Sequence, residues 1–185
     1  MRERFRDALS AVRAACSLDG SPGRPLAARM VGPTAGDGGD WTDAAGRAGF
    51  VWQALRPLSG APIASLVARV APQWEPCSCR RRCCSGRARC FLWWDAINIL
   101  AANALVDGMG WSYPERYALV ANCYAEERLT YKLLGERLAV NRETVSEHAR
   151  RVEKWLGCAP GARSGIEPVA LRNAEALLAS AGLLA

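Results

Sequence analysis

Apolar side chains recur at helical spacing along most of this chain. Near the N-terminus, four of them share one face of a helical wheel and arginines surround them, which predicts a short amphipathic helix within residues 1–18. These four are Phe5, Leu9, Val12 and Cys16. The same criterion predicts helices at residues 42–55, 62–70, 91–106, 113–126 and 168–181. No segment alternates between apolar and polar residues for long enough to predict a strand, so we expect a mainly α-helical protein.

Other segments refine this pattern. The helix predicted at 91–106 is apolar nearly all round its circumference, which is typical of a helix at the centre of a core. Ser112 and Glu115 have the spacing of a capping box, in which the serine accepts from a free amide and the glutamate returns the bond. Residues 19–40 are crowded with Gly, Pro and Asp and gain little by ordering, so we expect a mobile linker there.

Two short amphipathic helices separated by a few residues are predicted between residues 130 and 156. Thr130 and Asn141 are residue types that begin helices by accepting a hydrogen bond from a free backbone amide. Gly135, five positions before Val140, is small where two closely packed helices must approach each other. This arrangement is typical of a helix-turn-helix, which exposes the start of its second helix and can place it in the major groove of DNA.

The exposed side of the second helix is rich in side chains that can bond to bases or phosphates. Arginine pairs with guanine, glutamate accepts from cytosine, and asparagine or threonine can reach either bases or phosphates. The candidate contacts to double-stranded DNA on this helix are Asn141, Arg142, Glu143, Thr144, Ser146, Glu147, Arg150, Arg151 and Lys154. The alternative is a helical hairpin that only packs against the core, and we favour DNA binding over it.

Residues 113–156 resemble the promoter-contacting C-terminal region of bacterial sigma factors and related phage regulators. The matching stretch is residues 129–146, LTYKLLGERLAVNRETVS. The resemblance implies that the second helix reads promoter DNA. The chain departs from the family pattern at Ala139, where a glycine usually takes a left-handed turn conformation that costs alanine roughly 1 kcal/mol.

These predictions divide the chain into five parts. They are an N-terminal helix (1–18), a flexible linker (19–40), a helical region with a Cys/Arg-rich loop at 77–90 (41–110), the helix-turn-helix (111–158), and a linker with a C-terminal helix (159–185).

The positive net charge of the chain favours a nucleic-acid partner. The chain has a formal net charge of +6 and a pI near 9.1, and half of its residues are hydrophobic, as expected of a globular basic protein. The excess is local, because five arginines and no acid lie between residues 80 and 89. Residues 113–157 hold eight basic and seven acidic residues, so the helix-turn-helix alone attracts DNA weakly.

The Cys/Arg-rich loop is a candidate zinc site. Its five thiols are Cys77, Cys79, Cys83, Cys84 and Cys90. Zinc takes four ligands tetrahedrally, and this loop would supply them as Cys77, Cys79, either Cys83 or Cys84, and Cys90. The neighbouring arginines favour the thiolate form that binds metal. The alternative is a reduced arginine-rich loop without metal.

The other charged and sulfur-bearing residues have simpler interpretations. Arg80, Arg81 and Arg82 could grip phosphates beside the loop. The remaining cysteines, Cys16, Cys123 and Cys158, lie in or beside apolar helix faces, so we expect them to be packing residues.

A cysteine cluster ahead of a C-terminal helix-turn-helix in a small basic protein is similar in arrangement to phage late-gene antitermination proteins of the Q type, although the cysteine spacings differ. The resemblance implies binding to DNA near a late promoter and loading onto RNA polymerase so that it reads through terminators.

The sequence favours a cytoplasmic protein that makes no contact with a membrane. No early segment has the uninterrupted apolar run of a signal peptide, and the apolar stretch at 91–106 is too short and too polar to span a bilayer. Cysteines in that compartment stay reduced.

Two other classes of function compete with DNA binding. Against an enzyme, His148 is the only histidine, no glycine-rich phosphate loop is present and carboxylates do not cluster. A zinc-loop adaptor without specific DNA recognition is the second alternative, with the seven tryptophans and the helix at 168–181 as its partner surface. Sequence alone leaves the oligomeric state open.

Overall fold

A computed structural model describes residues 4–18, 25–31, 44–77, 79, 85–104, 111–158 and 161–185. In these residues the protein has nine helices and two short strands, so the prediction of a mainly α-helical protein is confirmed. The helices are α1 (Ala8–Leu18), α2 (Leu26–Val31), α3 (Ala44–Leu55), α4 (Ala61–Val70), α5 (Phe91–Asn103), α6 (Tyr113–Tyr124), α7 (Tyr131–Leu138), α8 (Arg142–Leu156) and α9 (Ile166–Ser180). The strands are β1 (Trp74–Pro76) and β2 (Arg87–Arg89).

Helices α4 and α5 form the centre of the core. They pack along each other, with α1 and α9 on α4, and α6 and α2 on α5. Trp93, Ile97 and Leu100 of α5 are fully buried, which explains why this helix is apolar on nearly every side. Each such side chain contributes roughly 1.5–3 kcal/mol relative to an exposed position.

Part of the predicted linker belongs to this core. Leu26 and Met30 of α2 are buried, and the backbone amide of Leu26 donates to a carboxylate oxygen of Asp95 on α5 at 2.7 Å. The expectation of a mobile linker is therefore wrong for residues 25–31. The remaining linker residues, 19–24 and 32–40, lie outside the described residues.

The two strands form an antiparallel hairpin ahead of α5 that the sequence pattern did not predict. Trp74 pairs with Arg89, and Pro76 pairs with Arg87. The ladder continues at both ends, where the amide of Cys77 donates to the carbonyl of Gly86 at 3.0 Å and that of Cys90 donates to the carbonyl of Gln73 at 3.1 Å. Strands of three residues are too short to show a periodic pattern in the sequence.

Candidate nucleic-acid interface

Helices α7 and α8 begin at the two predicted caps. The hydroxyl of Thr130 accepts from the amide of Leu133 at 3.4 Å, and the side-chain carbonyl of Asn141 accepts from the amide of Glu143 at 2.8 Å. Each cap satisfies one of the backbone amides left without a partner in a first helical turn. The two helices are therefore separated by only residues 139–141.

The turn between α7 and α8 depends on two small residues. Ala139 has φ 53° and ψ 38°, the left-handed conformation expected from the family pattern. The amide of Val140 donates back to the carbonyl of Gly135 at 3.0 Å. A Cβ on Gly135 would lie 2.7 Å from the carbonyl oxygen of Val140 and 3.5 Å from the amide nitrogen of Arg142. The chain can therefore fold back this tightly only because residue 135 has no side chain.

One face of α8 is buried against its neighbours. Val145, Ala149, Val152 and Leu156 are at most 5% exposed and recur at helical spacing. The helix packs against α6, α7 and α9, so three elements hold it in place.

The other face of α8 carries the predicted contact residues. Eight of the nine are exposed, namely Asn141, Arg142, Glu143, Thr144, Glu147, Arg150, Arg151 and Lys154, and Ser146 is half-buried. Arg151 pairs with Glu147 on the same helix. No described carboxylate lies within ion-pair distance of Arg142, Arg150 or Lys154. Steps of four or eight residues keep these three cations on one side of the helix, where they are available to an anionic ligand.

A buried polar contact also fixes α8 on α6. The Nδ1 atom of His148 lies 2.5 Å from Oε1 of Glu115 and donates to this carboxylate, and both side chains are only about a tenth exposed. The imidazole also stacks on Trp111, with ring centroids 4.2 Å apart. The only histidine is thus a packing residue in the structure. Ser112 does accept from the amide of Glu115, but the glutamate carboxylate bonds to His148 instead of closing the capping box.

The structure separates two of the predicted zinc ligands. Cys77 and Cys90 extend opposite ends of the β1–β2 ladder, four residues apart along the strands, which is roughly 13 Å at the usual rise of a strand. Two ligands of one tetrahedral zinc must lie far closer than this. Among the described residues no three Cys, His, Asp or Glu side chains are placed to share a metal. Cys90 therefore does not join Cys77 and Cys79, which is a correction to the predicted ligand set. Arg80, Arg81, Arg82, Cys83 and Cys84 lie outside the described residues.

The remaining thiols occupy packing positions. Cys123 is buried, and Cys16 and Cys158 are half-buried. A hydrogen bond between the thiols of Cys123 and Cys158 raises the pKa of Cys123, as burial of this thiol also does. The same bond lowers the pKa of Cys158. This contact links α6 to the residue that follows the C-cap of α8.

A cleft that sequence reasoning missed lies beside the helix pair. It has a volume of about 520 Å³ and is bordered by the hairpin and by α5, α6 and α7. We call it the hairpin cleft and define it by Trp74, Arg87 and Arg89 of the hairpin, Trp93 of α5, Tyr117 of α6 and Arg137 of α7. The one feature of the local sequence that indicated this cleft is the alternation Arg87-Ala88-Arg89, because side chains two residues apart lie on the same face of a strand.

No family model matches the chain, and neither a curated protein nor a solved structure matches it. None of the helices in the described residues is long and apolar enough to cross a bilayer.

Proposed function

We propose that this chain is a sequence-specific DNA-binding regulator of transcription that places α8 in the major groove of DNA. The division of α8 into a buried apolar face and an exposed polar face that begins at Asn141 carries the proposal. A major groove about 12 Å wide admits one helix, provided that nothing else covers its outer face. Because α6, α7 and α9 all pack against α8, the helix can enter the groove without rearranging the core.

The exposed side chains of α8 supply both kinds of contact that such binding needs. Arg142 and Arg150 would each pair with the O6 and N7 atoms of a guanine, the most common specific contact in the major groove. Asn141, at the start of the helix, and Lys154, near its end, would reach phosphates. The unpaired state of Arg142, Arg150 and Lys154 supports this assignment, because no ion pair has to be broken first.

Much of the affinity would come from outside the helix pair. Residues 113–157 are nearly neutral, whereas phosphate contacts usually dominate the affinity of DNA-binding proteins. We therefore assign Arg80, Arg81 and Arg82 to the phosphate backbone. In this scheme α8 selects the site and the arginine-rich loop strengthens binding.

We further propose that the loop binds zinc through Cys77, Cys79 and the adjacent Cys83 and Cys84. Cys77 and Cys79 fit such a site, because the amide of Cys79 donates to the Cys77 sulfur at 3.5 Å and the two residues therefore lie close together. Cys90 does not fit, because it lies at the far end of the hairpin ladder. Zinc would cross-link the loop and hold its arginines close together.

Substitution of two arginines tests the assignment of α8. Arg142→Ala and Arg150→Ala should each weaken binding to a selected operator by about 5- to 150-fold, the equivalent of one bidentate pairing with a base at 1–3 kcal/mol. Arg13→Ala is the matched control, since Arg13 is an exposed arginine on α1 and is not part of the proposed interface. Affinities would be measured by fluorescence anisotropy at fixed salt concentration, with circular dichroism to verify folding.

The outcomes are distinct. Normal operator affinity in both α8 variants would show that α8 is not the recognition helix. Equal weakening in Arg13→Ala would show that binding responds to net charge alone.

The regulatory role proposed is that of a phage-type antiterminator or activator that acts with RNA polymerase. It rests on the family resemblance of residues 113–156 and on the position of the cysteine cluster ahead of them. Selection of bound fragments from genomic DNA, followed by transcription past a terminator on a template with the selected site, tests it. Read-through that requires both the protein and the site is expected. Unchanged termination and initiation would contradict this role.

A further inference from the structure

The hairpin cleft contains an arginine that aromatic groups hold in place. The guanidinium of Arg89 donates to the hydroxyl of Tyr117 at 2.8 Å. Its central carbon lies 5.4 Å from the ring centroid of Trp74 and 6.0 Å from that of Trp93. No described carboxylate lies within 4.0 Å of it. The guanidinium of Arg89 is therefore held in one orientation, while no described carboxylate neutralises its charge.

Two further arginines face the same cleft. Arg87 comes from the hairpin and Arg137 from α7, and both are exposed. Glu126 and Glu127 border the cleft in the segment after α6, yet neither forms an ion pair with these arginines. Three guanidinium groups around one cleft repel one another, and an anion bound between them would relieve that repulsion. Guanidinium groups are also well suited to bidentate pairing with phosphate.

One aromatic side chain adds a flat apolar surface to the cleft. The side chain of Trp74 is 43% exposed, although tryptophan is usually well buried. Tyr117, which is half-buried, and Trp93, which is 1% exposed, also line the cleft, so Trp74 provides its exposed aromatic surface. An exposed aromatic ring next to arginines without ion-pair partners is a combination by which proteins bind single-stranded nucleic acids, with a base stacked on the ring and the phosphates bound by the arginines.

We infer that the hairpin cleft binds an unpaired nucleotide of a nucleic-acid strand, with its base stacked on Trp74 and its phosphate held by Arg87, Arg89 and Arg137. A paired duplex does not expose the face of a base, so this ligand differs from the one assigned to α8. The volume of about 520 Å³ is within the range of pockets that enclose small ligands. Because α7 lines the cleft and precedes α8, the two sites lie on adjoining elements and one nucleic acid could bind to both.

A labelled oligothymidylate tests this site in the full chain. We expect fluorescein-labelled oligothymidylate of about 12 nucleotides to bind, because single-strand sites commonly span about 4–16 nucleotides. Trp74→Ala should weaken this binding by about 5- to 150-fold, the equivalent of one stacked base at 1–3 kcal/mol. Trp74→Phe, which keeps an aromatic ring, should retain most of the affinity, and Arg89→Ala should reduce it.

A second exposed tryptophan provides the matched control. Trp94 is 40% exposed, close to the value for Trp74, but it lies on α5 and does not line the cleft. Trp94→Ala should leave oligothymidylate binding unchanged. If Trp74→Ala does not fold, Arg89→Ala and Trp74→Phe still separate stacking from charge.

Separate measurements distinguish this site from the proposed duplex site. Trp74→Ala should keep operator affinity, and the double variant Arg142→Ala/Arg150→Ala should keep oligothymidylate affinity. The cleft assignment is overturned if the native chain does not bind oligothymidylate, if Trp94→Ala weakens it as much as Trp74→Ala, or if only the α8 variants weaken it. A failure of operator recognition alone would overturn the role of α8 and leave the cleft assignment standing.

Discussion

Gly135 and Ala139 decide how closely α7 and α8 can pack. The need for a small residue at position 135 could be predicted from its spacing to Val140, because the requirement arises from local backbone geometry. The structure adds the contact responsible, the carbonyl oxygen of Val140 at 2.7 Å from any Cβ at position 135. Ala139 adopts a left-handed conformation, which is common for glycine and rare for L-residues such as alanine. Here the tight turn between the two helices prevails over the intrinsic preference of alanine.

Two reciprocal substitutions test these residues. Gly135→Ala should lower the free energy of unfolding by about 1–3 kcal/mol, because backbone atoms have to move to admit the new methyl group. Ala139→Gly should raise the free energy of unfolding by up to about 1 kcal/mol, because glycine is not strained at positive φ. The greater entropy of glycine in the unfolded chain offsets part of this gain. Urea denaturation followed by circular dichroism measures both changes. An unchanged midpoint for Gly135→Ala would contradict the close approach seen at this residue.

At the scale of elements, helices with local start signals could be predicted from sequence, whereas elements stabilised by distant residues could not. The starts of α7 and α8 follow from Thr130 and Asn141, which cap the helices next to them. By contrast, α2 is stabilised by Asp95, 69 residues further along the chain, and by burial of Leu26. Its short apolar segment was hidden by the Gly, Pro and Asp residues around it. The hairpin was missed because each of its strands has only three residues.

The hairpin gives the zinc proposal a specific test. Protein purified without chelators should contain about one zinc per chain, because one tetrahedral site takes four thiolates. Cys77→Ser or Cys79→Ser should lower the zinc content, whereas Cys90→Ser should not, because Cys90 lies at the far end of the ladder. Elemental analysis by mass spectrometry gives the stoichiometry. Native protein without zinc would remove the proposal, and a lower zinc content in Cys90→Ser would show that the ladder opens to bring this thiol into the site.

At the scale of the whole molecule, positive charge and recognition are assigned to different regions. The five arginines between residues 80 and 89 account for most of the net charge of +6, while residues 113–157 are nearly balanced. The fold connects the two regions, since Arg87 and Arg89 of the hairpin face the same cleft as Arg137 of α7. In the sequence, Arg87 and Arg89 lie about 50 positions before Arg137, so the sequence alone could not predict that they face one cleft.

Salt dependence tests the division between attraction and recognition. Replacing Arg80, Arg81 and Arg82 by Gln should reduce the slope of log affinity against log salt concentration by about one for each phosphate that the variant no longer binds. The preference for the selected operator over a scrambled duplex should remain, because the base contacts assigned to α8 are intact. The control removes three other exposed arginines, Arg4, Arg13 and Arg56, and should leave the slope unchanged. Equal slopes in both triple variants and the native chain would contradict the phosphate role of the loop.

The sequence by itself determined the mainly helical class, the two caps, the small residue at the turn and the exposed face of α8, because each depends on residues within a few positions of one another. Tertiary structure alone decided that Leu26 is buried, that His148 pairs with Glu115 across two helices, and that Cys90 lies far from Cys77. It also assembled the hairpin cleft from four separate elements. These features depend on contacts between residues that are distant along the chain, and neither helical periodicity nor local capping carries information about such contacts.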